Sequence, residues 1–257
     1  MKNCAQMKNN LSDIVVLSAL IGARTIENGG EIERAEDSAQ RICTAYGLES
    51  VSVFALNSVI IVTGSDKVSD FTHTVRIKKA APCMAVLENI NDFSRRICKN
   101  TISTSAALNE LEKICCQSST RIKLFGEIIT ALSFTLFYGG GFTDMLCALA
   151  IGIILHFEKI GLEHINLRPY IGYAVVTFAL GIIIQLLNFL GLCENTLSIM
   201  LGCLMSMFPG ITLVNASLSF LSSDTISAIL QLIHSFLTAL SIAAGFAFSV
   251  AVTGFMQ

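Results

Sequence analysis

Seven charged residues crowd one short stretch: Glu27, Glu31, Glu33, Arg34, Glu36, Asp37 and Arg41. Such a cluster could bind a ligand or take part in hydrolysis, and it equally describes a solvated helix face. Asp37 and Arg41 stand four residues apart, a spacing that lets them pair on one helix. No Ser–His–Asp set, phosphate loop or metal-ligand spacing accompanies them, so no catalytic residue, metal or cofactor is expected. A second set of polar residues is sunk in apolar sequence. His234 lies about two turns into a long apolar run, where an ionisable side chain is a functional candidate by default. Its titration range suits proton coupling. A neutral histidine bonded to a neighbouring helix would look the same. Pro209-Gly210 interrupts another apolar run. Proline removes an amide donor and clashes with the preceding turn. Carbonyls freed at membrane depth are tolerated against protein or a water-filled cavity, and broken helices often bind solutes in transporters. A plain kink fits the same residues. Gln185, Asn215 and Gln231 belong to small-and-polar stripes in these runs, a pattern that helix packing also produces. Glu127 and Asp144 stand near opposite ends of a first apolar hairpin, where either could lie in the interface.

The elements that must carry these residues are membrane helices. The chain has 257 residues, 53% hydrophobic and 14% charged, with mean hydropathy +0.67. Ordinary soluble domains carry about 25% charged residues. From Leu124 onward the only basic residues are Lys159 and Arg168. Apolar runs near the length of a bilayer lie between the sparse charges, and a spanning helix needs about 20 such residues. Five spans are expected: Leu124 to Tyr138, Asp144 to Phe157, Tyr170 to Leu190, Thr196 to Ala216 and Ile226 to Phe255. The second could be re-entrant. Lys159, His164 and Arg168 are expected in the loop that follows it. Basic residues there and at Arg121 and Lys123 place both segments in the cytoplasm. A net charge of −2 argues against a nucleic-acid partner.

The first half changes character. Leu11 to Asn28 and Glu31 to Tyr46 have helical spacing, stopped by Gly29-Gly30 and Gly47. Val51 to Leu56 and Val59 to Thr63 flank Asn57-Ser58 as a hairpin, and Thr72 to Lys78 alternates as a third strand. Met84 to Lys99 returns to helix, and Ser103 caps another that runs to Cys116. Residues 1–120 thus read as a cytoplasmic α+β domain and 121–257 as a transmembrane helical domain. Lys2, Lys8 and Asp13 do not make a signal peptide. The nine cysteines are an odd number with no CxxC pair, so a disulfide framework is not expected. Free thiols at Cys43, Cys83 and Cys98 suit a reducing compartment. Their plainer role is as small buried apolar side chains.

Taken in order, several short pieces resemble the threonine/serine exporter family. They begin with Gly30-Glu31, Arg34, Glu36-Asp37, Ala45-Tyr46-Gly47-Leu48 and the strand Val51 to Phe54. They continue through Thr74 to Ile77, Leu87, Asn89 to Ser94, Ser103 and the helix Ala106 to Ile114. Gly139-Gly140 with Asp144, and Pro209-Gly210 with Asn215-Ala216, complete them. The chain is similar to the larger, N-terminal-half subunit of the family's split form, whose smaller membrane subunit is a separate protein. The resemblance implies a polytopic α-helical membrane protein of about five transmembrane helices with an N-terminal cytoplasmic α+β domain. It implies a secondary exporter in the bacterial inner membrane, proton-driven and not an enzyme. The cargo would be a threonine- or serine-type amino acid or a dicarboxylate such as succinate. An oligomer is expected. Where the family often has an acidic residue and a glycine, Ser219 and Ser223 stand here, leaving Asp224 as the acidic residue of that segment. The rival reading is a membrane-tethered hydrolase or ligand sensor acting through Glu31, Arg34, Glu36 and Asp37.

Overall fold

The computed structural model describes residues 10–66, 69–77, 82–116, 120–165 and 169–254, with backbone alone at 162–165. Lys2, Lys8, Lys78, Arg168, residues 255–257 and the His164 side chain lie outside the described residues. Ten helices and three strands are found among the described residues. They fall into two units: Met1–Gln117 with Ile211–Leu232, and Ser118–Gly210 with Ile233–Gln257.

The first unit opens with α1 (Leu11–Glu27) and α2 (Ile32–Ala45). Gly29 takes φ +86° after α1, and the Gly30 N–H returns to the Thr25 carbonyl, the bond that closes such a helix end. Strands β1 (Ser50–Leu56), β2 (Val59–Ser65) and β3 (Asp70–Arg76) form an antiparallel meander. Asn57 and Ser58 turn the first hairpin, with Leu56 opposite Val59. Ile60 and Val62 point from β2 into a core with Val15 and Ala19 of α1. Leu17 and Ile21 leave the other side of α1, toward Ile90, Phe93 and Ile97 of α3 (Met84–Lys99). Helix α4 (Thr104–Lys113) is capped by Ser103, whose hydroxyl accepts from the Ala106 N–H at 3.4 Å. It ends before Cys116, the expected terminus.

One expectation about cysteine is corrected. Cys83 is not a free thiol but is disulfide-bonded to Cys116, with Cα atoms 6.4 Å apart. The segments before α3 and after α4 meet only in the folded unit, and a separation of 33 residues leaves no local spacing signal. Cys43 and Cys98 are free, as read.

The second unit contains α5 (Thr120–Phe137), α6 (Phe142–Ile165), α7 (Pro169–Phe189) and α8 (Thr196–Leu204). Past Gly210, helix α9 (Gly210–Leu221) and the first turns of α10 (Thr225–Gly254), to Leu232, belong to the first unit, and the rest of α10 to the second. The core of this unit gathers Ala148, Ile151, Leu155, Leu180, Ile184 and Ile199. Helices α7 and α10 are long and apolar enough to cross a membrane. Two boundaries differ from expectation. The second apolar run does not end at Phe157: α6 continues to Ile165, so Lys159 is helical rather than in a loop. Its charge does not end the helix because it finds a partner. The run Thr196 to Ala216 is not one helix either, for it breaks between Leu204 and Gly210. Pro209 has no N–H to offer the Met205 carbonyl.

Candidate functional site

The N-terminal turn of α2 gathers acidic residues, which a helix start favours. Glu31 is its N-cap residue, and Glu33 and Glu36 follow. Together with Val53 to Ala55 of β1, and with Leu218, Ser219, Ser222 and Asp224, they line a pocket of about 360 Å³. The Ala55 N–H donates to the Glu36 carboxylate at 2.7 Å. The Ser222 hydroxyl donates to Glu33. Burial pushes the Glu36 carboxyl above its ordinary range; the Ala55 bond opposes this, and the charges of Asp224 and Glu33 add to it. Asp224 also caps α10, accepting the Ser227 N–H at 3.2 Å. Arg34 reaches Glu31 at 3.7 Å on the surface. Asp37 and Arg41 do pair, at 2.8 Å, and they line a different pocket with Arg34 and Arg95.

Two further candidates also belong to the first unit. Asn215 on α9 donates to the Gly29 carbonyl at 3.1 Å. Gln231, 3% exposed, donates to the Asn57 side chain at 3.1 Å. Both amides fasten apolar helices to the turns that begin and divide the α/β layers. Distance along the sequence hid these contacts.

In the second unit Glu127 is the centre of a half-buried cluster. His156 Nδ1 lies 2.8 Å from one carboxylate oxygen and Lys159 Nζ 2.9 Å from the other. Lys159 also reaches the Ser206 carbonyl at 3.4 Å and its hydroxyl at 3.3 Å, inside the break after α8. The sequence reading puts Lys159 in a cytoplasmic loop and passes over His156. Their spacing of three residues, one helical turn, was the available signal. Asp144 is elsewhere: 1% exposed, it accepts the N–H groups of Gly141, Glu194 and Asn195. It ties the glycine turn to the loop before α8. His234 is exposed and 2.7 Å from the Tyr170 hydroxyl. Gln185 is half-buried on α7. Pro209 and Gly210 stand at the start of α9. Thus Glu31, Glu36 and Asp224 share one pocket, Glu127 belongs to a cluster of the other unit, and His234 joins neither.

Residues 17–253 match the threonine/serine exporter family, ThrE. The chain belongs to this family. No curated protein and no solved structure matches it. ThrE proteins are membrane transporters, and α7 and α10 supply helices of suitable length and apolarity. Two of this ThrE chain's own features follow from the geometry. Ser219 stands in the acidic pocket, 8% exposed. Ser223 takes φ 64°, a left-handed conformation costly for residues other than glycine. A glycine at that turn, as the family often has, would remove the cost.

Proposed function

We propose that this ThrE chain is one subunit of a proton-driven secondary exporter for a threonine- or serine-type amino acid. The observation that carries this reading is the family match from residue 17 to 253. The geometry adds a polar interruption within apolar helices: Lys159 meets the broken segment at Ser206 while held by Glu127. Five spans would be supplied by α5, α6, α7, the α8–α9 segment and α10, in the bacterial inner membrane. The N-terminal α+β layers would lie in the cytoplasm and collect or gate the solute. A smaller membrane subunit would complete the path, within an oligomer. The test is efflux of labelled L-threonine, L-serine and succinate from cells expressing the chain together with a small multi-span protein encoded beside it. Faster efflux of either amino acid than in cells lacking the pair supports the reading. Unchanged efflux of all three solutes would sink it.

One observation favours a second reading, a ligand sensor. The 360 Å³ pocket of the first unit is lined by Glu31, Glu33, Glu36 and Asp224, a setting for a cationic group. Saturable calorimetric binding of an amine by the full chain, with no efflux of any solute, would favour it.

A further inference from the structure

Among the described residues of the second unit, Lys159 is a cation held inside the helices rather than at their exposed ends. Its side chain is 27% exposed, that of Glu127 18% and that of His156 6%. A partly buried ion pair is maintained best when its members are well bonded. Here they are bonded unequally. Glu127 uses one oxygen for Lys159 and the other for His156. Lys159 has Glu127 and the Ser206 carbonyl and hydroxyl at the helix break. His156 is the incomplete member. Its Nδ1 faces a carboxylate, which only accepts, so Nδ1 carries the hydrogen. In the neutral ring Nε2 presents a lone pair, and that atom is buried without a hydrogen-bond partner among the described residues. A buried acceptor left in this state is costly unless it has a use.

Resting on the exporter reading above, we propose that the Glu127–Lys159 pair is the substrate-recognition site. It opens to take an α-amino acid zwitterion, and His156 delivers the competing proton. The ammonium group of the zwitterion pairs with Glu127 and its carboxylate with Lys159. One internal ion pair is exchanged for two with the substrate, and the net charge of the site does not change. Loading a proton reverses this. A proton binds Nε2 of His156, the Nδ1 hydrogen passes to the Glu127 oxygen beside it, and the ring ends neutral with Nε2 protonated. Neutral Glu127 no longer holds an ammonium, and the zwitterion leaves. Proton and amino acid therefore exclude one another, which is the arrangement an antiporter needs. Succinate, with two carboxylates and no ammonium, would meet the charge of Glu127 and be disfavoured.

Other titratable groups belong to the packed elements. Helix α6 carries Glu158, whose Oε2 is buried and unpartnered among the described residues, and Asp144 and Cys147 nearer its start. Cys203 on α8 lies within reach of the Lys159 charge. Helix α5 carries Arg121 and Lys123 on its exposed first turn, and α7 carries Tyr170 and Tyr173. Among the described residues, none of these is hydrogen-bonded to Glu127, His156 or Lys159.

The experiment uses the full chain, co-purified with its membrane partner, in proteoliposomes loaded with labelled L-threonine, L-serine or succinate. Exchange flux and proton-driven flux are measured separately between pH 5.5 and 8. Wild-type protein should exchange threonine or serine and not succinate. Glu127→Gln and Lys159→Met should each cut exchange at least tenfold, with Glu127→Asp and Lys159→Arg recovering much of it. His156→Gln should cut proton-driven flux at least tenfold and flatten its pH dependence, a larger loss than it makes in amino-acid exchange. That variant answers the question even if the charge-removing ones fail to assemble. Wild-type flux in every amino-acid arm with unchanged Glu127→Gln and His156→Gln variants would overturn the site and leave the exporter standing. Preference for succinate over both amino acids would overturn the zwitterion assignment. Absence of wild-type flux for all three solutes would overturn the exporter reading itself.

Discussion

Glu36 is a carboxyl whose surroundings favour the uncharged acid. Because its folded value is raised, the stability it gives is complete below the ordinary carboxylate range. It is lost as pH rises through the raised value. Glu36→Gln keeps an acceptor for the Ala55 N–H and removes the charge. It should unfold at a higher temperature than wild type at pH 7.5 and at nearly the same temperature at pH 4. The gain is about 0.5 kcal/mol or less, since solvent still reaches the group. Thermal melting of the detergent-solubilised protein at the two pH values checks this. Asp144 is held instead by backbone donors. Three N–H groups point at its buried carboxylate, so Asp144→Asn turns an amide donor toward a backbone donor. A loss of about 2–3 kcal/mol is expected, read as a lower melting temperature at every pH where the carboxylate is ionised.

At the scale of elements, the close crossing of α7 and α10 depends on glycine. A Cβ on Gly245 would strike Thr177 Oγ1 and the Ala174 carbonyl, with the Phe178 nitrogen 3.0 Å away. One on Gly181 would strike Ser249. Backbone cannot step aside as a side-chain tip can, so Gly245→Ala should cost about 1–3 kcal/mol. A control at Gly254, where a Cβ meets nothing within 4 Å, should be near neutral in the same melting assay. The sequence pattern showed these helices because their apolar runs are long and unbroken. Tyr170 to Leu190 was expected and Pro169–Phe189 is found. It showed the glycine stops after α1 and α2 and the Ser103 cap for the same local reason. What it could not show was made by tertiary contact: Cys83 against Cys116, Asn215 against Gly29, and Lys159 kept in helix by Glu127. The clustering of Glu31 and Glu36 with Asp224 belongs here too, since nearly two hundred residues separate them in sequence.

At the scale of the molecule, apolar side chains remain outside in number. Phe137, Phe189, Phe236 and Phe248 are each more than 60% exposed. Soluble monomers rarely leave contiguous apolar patches larger than a few hundred Å². Alkaline carbonate washing of membranes should therefore leave the protein in the pellet, and detergent should release it; recovery in the carbonate supernatant would contradict the membrane reading. The first unit also draws on the far part of the chain, Ile211–Leu232. Residues 10–116 expressed alone would lack the amides of Asn215 and Gln231 and the Asp224 wall of the pocket. Such a fragment is expected to melt below the intact protein, by circular dichroism, and to lose any amine binding.

Helix α10 has 30 residues, which at about 1.5 Å each makes a rod of roughly 45 Å. Bilayer hydrocarbon is about 30 Å thick. Some ten residues' worth of rod cannot be matched by lipid standing upright, and the first turns of α10, to Leu232, are the part that belongs to the first unit. In a bilayer this helix would carry hydrophobic mismatch from the start. Acyl-chain length would then become a variable for this helix, with lipids of longer chain covering more of its turns.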